Sequence, residues 1–141
     1  MTQVRERPKA RTSDQAEKMA FTIAKIGVIG AGQMGNGIAH VSALAGMDVL
    51  LHDVSADRIN AGLATINGNL TRQVSRKLIS EEDRQAAIAR IAPAESLEKL
   101  ADCDLVIESA SEKEEVKRKI FSELCPSLKP DAIIGTNTSS I

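Results

Sequence analysis

Six consecutive residues, Gly30-Ala31-Gly32-Gln33-Met34-Gly35, carry the spacing G-x-G-x-x-G. They follow the apolar run Ile23 to Ile29 and precede a stretch of helical character. In that setting each glycine serves the binding of a diphosphate. Gly30 permits a tight turn, Gly32 lets the backbone approach the anion, and Gly35 lets helix and strand pack closely. The first amides of the helix then aim their N–H groups at the negative charge. Gly37 reads as one more close-packing position. Without that strand and helix the same spacing describes any glycine turn.

Asp53 stands 18 positions after Gly35, at the end of a second apolar run. This is close to the ~20-residue offset of an acid that accepts hydrogen bonds from ribose hydroxyls. A carboxylate there repels a 2′-phosphate. Val54 and Ser55 follow it, so no adjacent arginine awaits one, and NAD is favoured over NADP. Read apart from the glycines, Asp53 is equally a loop acid or helix cap. His40 and His52, the only histidines, have no serine or carboxylate at triad-like spacing and read as structural.

These residues need elements to hold them. The β-branched run Ile23–Ile29 suits a strand buried on both faces. A helix is predicted from about Gln33 to Ala45, with Ile38, Val41 and Ala45 on one side and Gly46 as its stop. Met47 to Asp53 is the second strand. Ser55 caps the next helix, with Asp57 in its first turn. Its stripe Ile59, Leu63, Ile66, Leu70, Val74, Leu78 predicts a helix of some 20 residues, about 30 Å. A helix that long either lies on the sheet as an ordinary amphipathic element or projects beyond it and offers a surface. Ser80 with Glu81, Glu82 and Asp83 opens a further helix in capping-box fashion, running to about Arg90, and Pro93 ends that segment. Ser96 to Leu100 reads as a short helical turn, and Asp104 to Glu108 as a strand. Glu112 to Leu124 reads as a charged helix with Val116, Ile120 and Leu124 inward. Asp131 to Thr136 is the last strand before Asn137-Thr138-Ser139-Ser140-Ile141. Strands alternating with helices predict a parallel α/β sheet.

Composition narrows the classes. The 141 residues carry 18 Lys plus Arg against 19 Asp plus Glu, which offers no polybasic face and counts against nucleic acid as a partner. No apolar run reaches the roughly 18 residues of a membrane span. The aromatics Phe21 and Phe121 provide no stacking platform. Cys103 and Cys125 suit neither a disulfide framework nor a zinc site, so no metal is expected and the cytoplasm is the default. Residues 1–22 read as a disordered tail. Glu6, Asp14 and Glu17 count against an Arg-rich transit peptide.

Three segments together carry a resemblance: Ile26 to Gly35, Asp104 to Glu108, and Thr136-Asn137-Thr138-Ser139-Ser140. From about Ile23 to Ile141 the chain resembles the amino-terminal half of the 3-hydroxyacyl-CoA dehydrogenases, with the bacterial 3-hydroxybutyryl-CoA dehydrogenases the nearest branch. N-T-S-S at a strand's carboxyl end is the discriminating element, since the glycine motif is shared by many dehydrogenases.

The resemblance implies a Rossmann-type, doubly wound, mostly parallel sheet with a projecting helical arm. It also implies hydride exchange between NAD and the 3-carbon of a hydroxyacyl-CoA. Gly30 to Gly35 and Asp53 would hold the adenosine and pyrophosphate. Glu112 and Lys117, which spacing alone assigns to a solvated helix face, match positions on the nicotinamide side. Asn137 and Ser139 match the pair beside the reacting carbon, Ser139 bonding the substrate oxygen. Asn69 and Arg76 are the counterparts of polar arm residues that touch CoA.

In the family the catalytic histidine, its glutamate partner and a carboxy-terminal helical domain follow N-T-S-S, whereas this sequence stops at Ile141. It is therefore expected to bind NAD without turnover by itself, as the 23–141 domain of an enzyme whose full-length members are homodimers. A sheet ending after its fifth strand leaves Ala132 to Ile134 at an edge that invites self-association. Two alternatives stay open. The β-hydroxyacid dehydrogenases acting on hydroxyisobutyrate or 6-phosphogluconate share a glycine motif with Met before its last glycine. A non-catalytic NAD-binding module is the other.

Overall fold

The alternation of apolar runs and helical stripes resolves into one five-stranded sheet flanked by helices. A computed structural model describes residues 23–110 and 113–136. Its strands are β1 (Lys25–Ile29), β2 (Asp48–His52), β3 (Ile91–Pro93), β4 (Leu105–Glu108) and β5 (Ile133–Thr136). The helices are α1 (Gln33–Leu44), α2 (Ala56–Ser75), α3 (Glu81–Arg90) and α4 (Glu114–Leu124). The strand order is β3-β2-β1-β4-β5, and all four pairings are parallel. β1 is central, so the two halves wind outward from it and a crevice opens at the strands' carboxyl ends.

Side-chain alternation divides the core into two layers. Ile26 and Val28 of β1 join Val49, Leu51, Ala39, Ala43, Ile66, Leu70 and Ala87 on one side. Ile29 joins Leu100, Cys103, Val106 and Leu124 on the other. A Cβ on Gly27 would meet Cys103 Sγ and Leu100 at 3.1 Å, so that layer is filled up to the backbone of β1. Burial pushes the Cys103 thiol up to about 11.

Three expectations change. Of the expected face of α1 only Ile38 packs against the core, half-buried; Val41 is 62% exposed and Ala45 is exposed, and the fully buried residues are Gly35, Asn36, Ala39, Ser42 and Ala43. Small residues occupy it because the helix lies close against its neighbours. β3 is a strand that the sequence reading missed, taking Pro93 as a mere terminator. Three residues are too few to show periodicity, and proline is tolerated on a sheet edge, where its missing N–H costs no ladder bond. α2 stops at Ser75. Lys77 turns the chain at φ 62°, and Leu78, expected on the buried stripe, is 66% exposed. With 20 residues against the five of β1 and β2, α2 still outruns the sheet.

Polar clasps fix the layers. His40 Nε2 lies 2.7 Å from Gln73 Oε1, joining α1 to α2. Arg84 donates to Asn67 Oδ1 at 2.8 Å, joining α3 to α2, and Arg90 donates to the Ala43 carbonyl at 2.7 Å. Ser80 and Asp83 form the expected reciprocal capping box. Ahead of β4, Asp104 Oδ2 accepts the amides of Ala24 (2.8 Å) and Lys25 (3.0 Å), and Oδ1 accepts from Lys129. The Lys129 bond, then these amides, hold its carboxyl down to about 2. Among the described residues no helix is long and apolar enough to cross a membrane.

Candidate cofactor site

The chain leaves β1 through Gly30, whose φ of 111° is costly for any residue with a Cβ. A Cβ there would also press on the Ala110 backbone at 2.9 Å. Gly30 N–H donates to the His52 carbonyl at 2.7 Å, anchoring the bend to β2. A Cβ on Gly35 would collide with the Gly30 carbonyl oxygen, so Gly35 is the most tightly packed glycine of the three. Around Gly32 a Cβ would meet nothing within 4 Å, and the residue is exposed. This is open space at the start of α1, where no side chain caps the helix. The first turn's backbone donors, at Gln33, Met34 and Gly35, have no backbone partner among the described residues. Such a cradle can receive an anion. Met34, 51% exposed, stands beside it. Gly37, expected to be a close-packing position, instead faces open space.

Asp53 closes the bend from β2. It is 9% exposed, with Oδ2 accepting from Ala31 N–H at 2.8 Å and Oδ1 from Val54 N–H at 2.6 Å. The carboxylate is thus fixed in orientation with lone pairs to spare. Beside it opens a cavity of about 810 Å³. Ile29 and His52 line it from the sheet, Val54 and Arg58 from the start of α2, and Val116 and Ile120 from α4. Val116, expected inward in the core, faces this cavity instead. His52 Nδ1 lies 2.8 Å from the Ala94 carbonyl, an obligate acceptor, so Nδ1 carries the proton and Nε2 is the acceptor of the neutral ring.

At the carboxyl ends of β4 and β5 a second cluster forms. Lys117 Nζ donates to Glu108 Oε1 at 2.6 Å and to Thr136 Oγ1 at 3.1 Å. Glu108 Oε2 accepts from Ala110 N–H at 2.8 Å, and the carboxylate is fully buried. The sequence reading missed Glu108, whose only local signal is a charge ending an apolar strand. It missed Gly62 too. A Cβ there would meet Asn36 Oδ1 at 2.8 Å and the Ala31 methyl at 2.9 Å, so α2 packs directly against the bend. Asn36 Oδ1 is buried there without a hydrogen-bond partner. A glycine inside a helix signals such an approach, but Gly68 in the same helix has nothing near it.

Of the expected site residues, Gly30 to Gly35 and Asp53 come together, and Lys117 sits at the β4–β5 end. Asn69 accepts from Arg72 within α2, and Arg76 is exposed at that helix's end. Neither lines the cavity. Glu112, Asn137 and Ser139 lie outside the described residues. Among the described residues no group of three His, Cys, Asp or Glu side chains could hold a metal.

The cradle, the fixed acid and the adjoining cavity fit a dinucleotide. Comparisons with known proteins agree. Residues 25–141 match the family model described as 3-hydroxyacyl-CoA dehydrogenase, NAD binding domain. The 3-hydroxybutyryl-CoA dehydrogenase of Bradyrhizobium diazoefficiens is 69% identical over 123 residues, 87% of this chain and 42% of that protein. The 3-hydroxyadipyl-CoA dehydrogenase of Escherichia coli is 39% identical, matching 87% of this chain and 26% of that protein. The crystal structure of (S)-3-hydroxybutyryl-CoA dehydrogenase from Ralstonia eutropha superposes with a TM-score of 0.82 at 38% identity. It covers 85% of this chain and 42% of the other. The chain therefore spans less than half the length of these relatives. The family match decides against the hydroxyisobutyrate-type alternative. The chain belongs to the 3-hydroxyacyl-CoA dehydrogenase family, and what it contains is that family's NAD-binding domain.

Proposed function

We propose that this chain is the cofactor-binding part of a 3-hydroxybutyryl-CoA dehydrogenase, an enzyme moving hydride between NAD and the 3-carbon of a short acyl-CoA. The observation that carries the proposal is the Asp53 carboxylate bonded to the glycine bend while Gly32 faces open space. When bound, NAD supplies the ring that gives or takes the hydride. The bend's amides receive the diphosphate, and the spare lone pairs of Asp53 accept from ribose hydroxyls. Lys117, aimed by Glu108, works with Glu112 on the nicotinamide side. By the family resemblance Asn137 and Ser139, one and three positions after Thr136, act beside the reacting carbon, the Ser139 hydroxyl donating to the substrate oxygen. Asn69 and Arg76 meet the CoA portion.

The reaction also needs a base at the substrate hydroxyl. The two histidines stand elsewhere, His40 on α1 bonded to Gln73 and His52 at the end of β2 with β1 between it and β4, so this chain alone binds cofactor without turning over. In the whole enzyme we place the missing base in a further segment, the working unit as a homodimer and the location as the cytoplasm. Fluorescence titration with NADH and NADPH tests the cofactor half: tight NADH and weak NADPH binding is expected, and equal binding overturns the role of Asp53. Oxidation of 3-hydroxybutyryl-CoA by the 141-residue chain above background would overturn the assignment of the base.

A further inference from the structure

Asp53 has no arginine beside it in sequence, yet the fold brings one to the same cavity. Arg58 stands in the first turn of α2, where its backbone amide donates to Ser55 Oγ at 3.2 Å, and its side chain lines the cavity wall that Asp53 begins. Among the described residues no carboxylate lies within ion-pair distance of this guanidinium. The other charges on the cavity, Glu115, Lys119 and Glu123, all belong to α4. On Asp53's own wall there are thus one carboxylate, held rigidly by two backbone amides, and one uncommitted guanidinium. A guanidinium suits a phosphate group, which it can grip through two parallel hydrogen bonds, and the start of a helix favours an anion as well.

We propose that Arg58 is a latent 2′-phosphate partner: only the charge of Asp53 excludes a 2′-phosphorylated dinucleotide, and removing that charge lets Arg58 hold one. This selectivity comes from a repulsive element placed over an attractive one. It rests on the dinucleotide reading of the cavity.

Asp53→Asn is the direct test, because the amide oxygen still accepts from Ala31 N–H while the charge is gone. The ratio of the NADPH to the NADH dissociation constant is measured by calorimetry on the full chain, since the ratio cancels any general loss of fit. It falls about tenfold or more in Asp53→Asn, and Asp53→Asn/Arg58→Ala restores most of that change, as expected for a charged hydrogen bond gained and then lost. A ratio unmoved by the first substitution, or one that stays low in the double variant, overturns the proposal. Should circular dichroism show Asp53→Asn unfolded, Arg58→Glu in the native background takes its place: the ratio widens about tenfold, and an unmoved ratio overturns the proposal equally. Failure of the native chain to bind NADH at any concentration instead removes the dinucleotide reading, and the proposal with it.

Discussion

The two ends of the site are built on opposite principles. At the bend the working feature is missing side chains: Gly30, Gly32 and Gly35 leave room for backbone, helix and ligand to come close, and one fixed carboxylate supplies the charge. At the ends of β4 and β5 the working feature is a filled, charged interior, with Lys117, Glu108 and Thr136 bonded to one another around a fully buried carboxylate. In the first arrangement a Cβ on the exposed Gly32 would touch no other part of the fold, so ligand access there is separable from stability. In the second, binding geometry and stability depend on the same atoms.

That contrast can be broken by substitution. Lys117→Met should have the largest effect, because it takes the Lys117 ammonium away from a fully buried carboxylate; a loss of up to about 3–5 kcal/mol in urea unfolding is expected. Adding Glu108→Gln should recover a large part of it, since the cost lies in keeping a buried charge with less compensation. ADP-ribose, which reaches only the bend's half of the site, should still bind the Lys117→Met chain wherever that chain is folded. Next comes Gly35→Ala, whose methyl collides with the Gly30 carbonyl. A loss of about 1–3 kcal/mol and of measurable NADH binding is expected, by unfolding and titration. Gly32→Ala sharpens the contrast: stability should stay within about 0.5 kcal/mol because the new methyl meets no protein atom, while NADH binding weakens. Unchanged NADH affinity in Gly32→Ala would show that no ligand approaches there.

The smallest effect belongs to a residue of neither end. Asp104 is held down to about 2 against an ordinary 3.8. Its folded value is the lower one, so its contribution to stability is present above pH 3.8 and lost as the pH falls toward 2. Urea midpoints measured across that interval should fall less steeply in Asp104→Asn than in the native chain.

The bend was legible in the sequence because its residues are contiguous and sit between a strand and a helix. Asp53 was legible because its offset is set by the length of one helix crossover. The buried ion pair was not: Lys117 lies nine positions past Glu108 on a different element, and Thr136, which bonds both, lies 28 positions past Glu108 and reaches it through the β4–β5 pairing. Arg58 escaped notice for a similar reason: reading only the residues next to Asp53 ignores that the first helical turn brings its fifth neighbour round to the same wall. The face of α1 was misread because apolar residues were sought where the close approach of its neighbours demands small ones. β3 was lost to its shortness and its proline.

Cys103 gives the molecule a built-in reporter. Its sulfur is walled in against Gly27 and Leu100 and stays protonated at neutral pH, whereas Cys125 is open to solvent. An alkylating reagent that consumes thiolates meets one sulfur at once and the other only when the layer beneath β1 comes apart. The slow second wave of labelling is then a clock for the opening of the sheet, readable with no engineered probe.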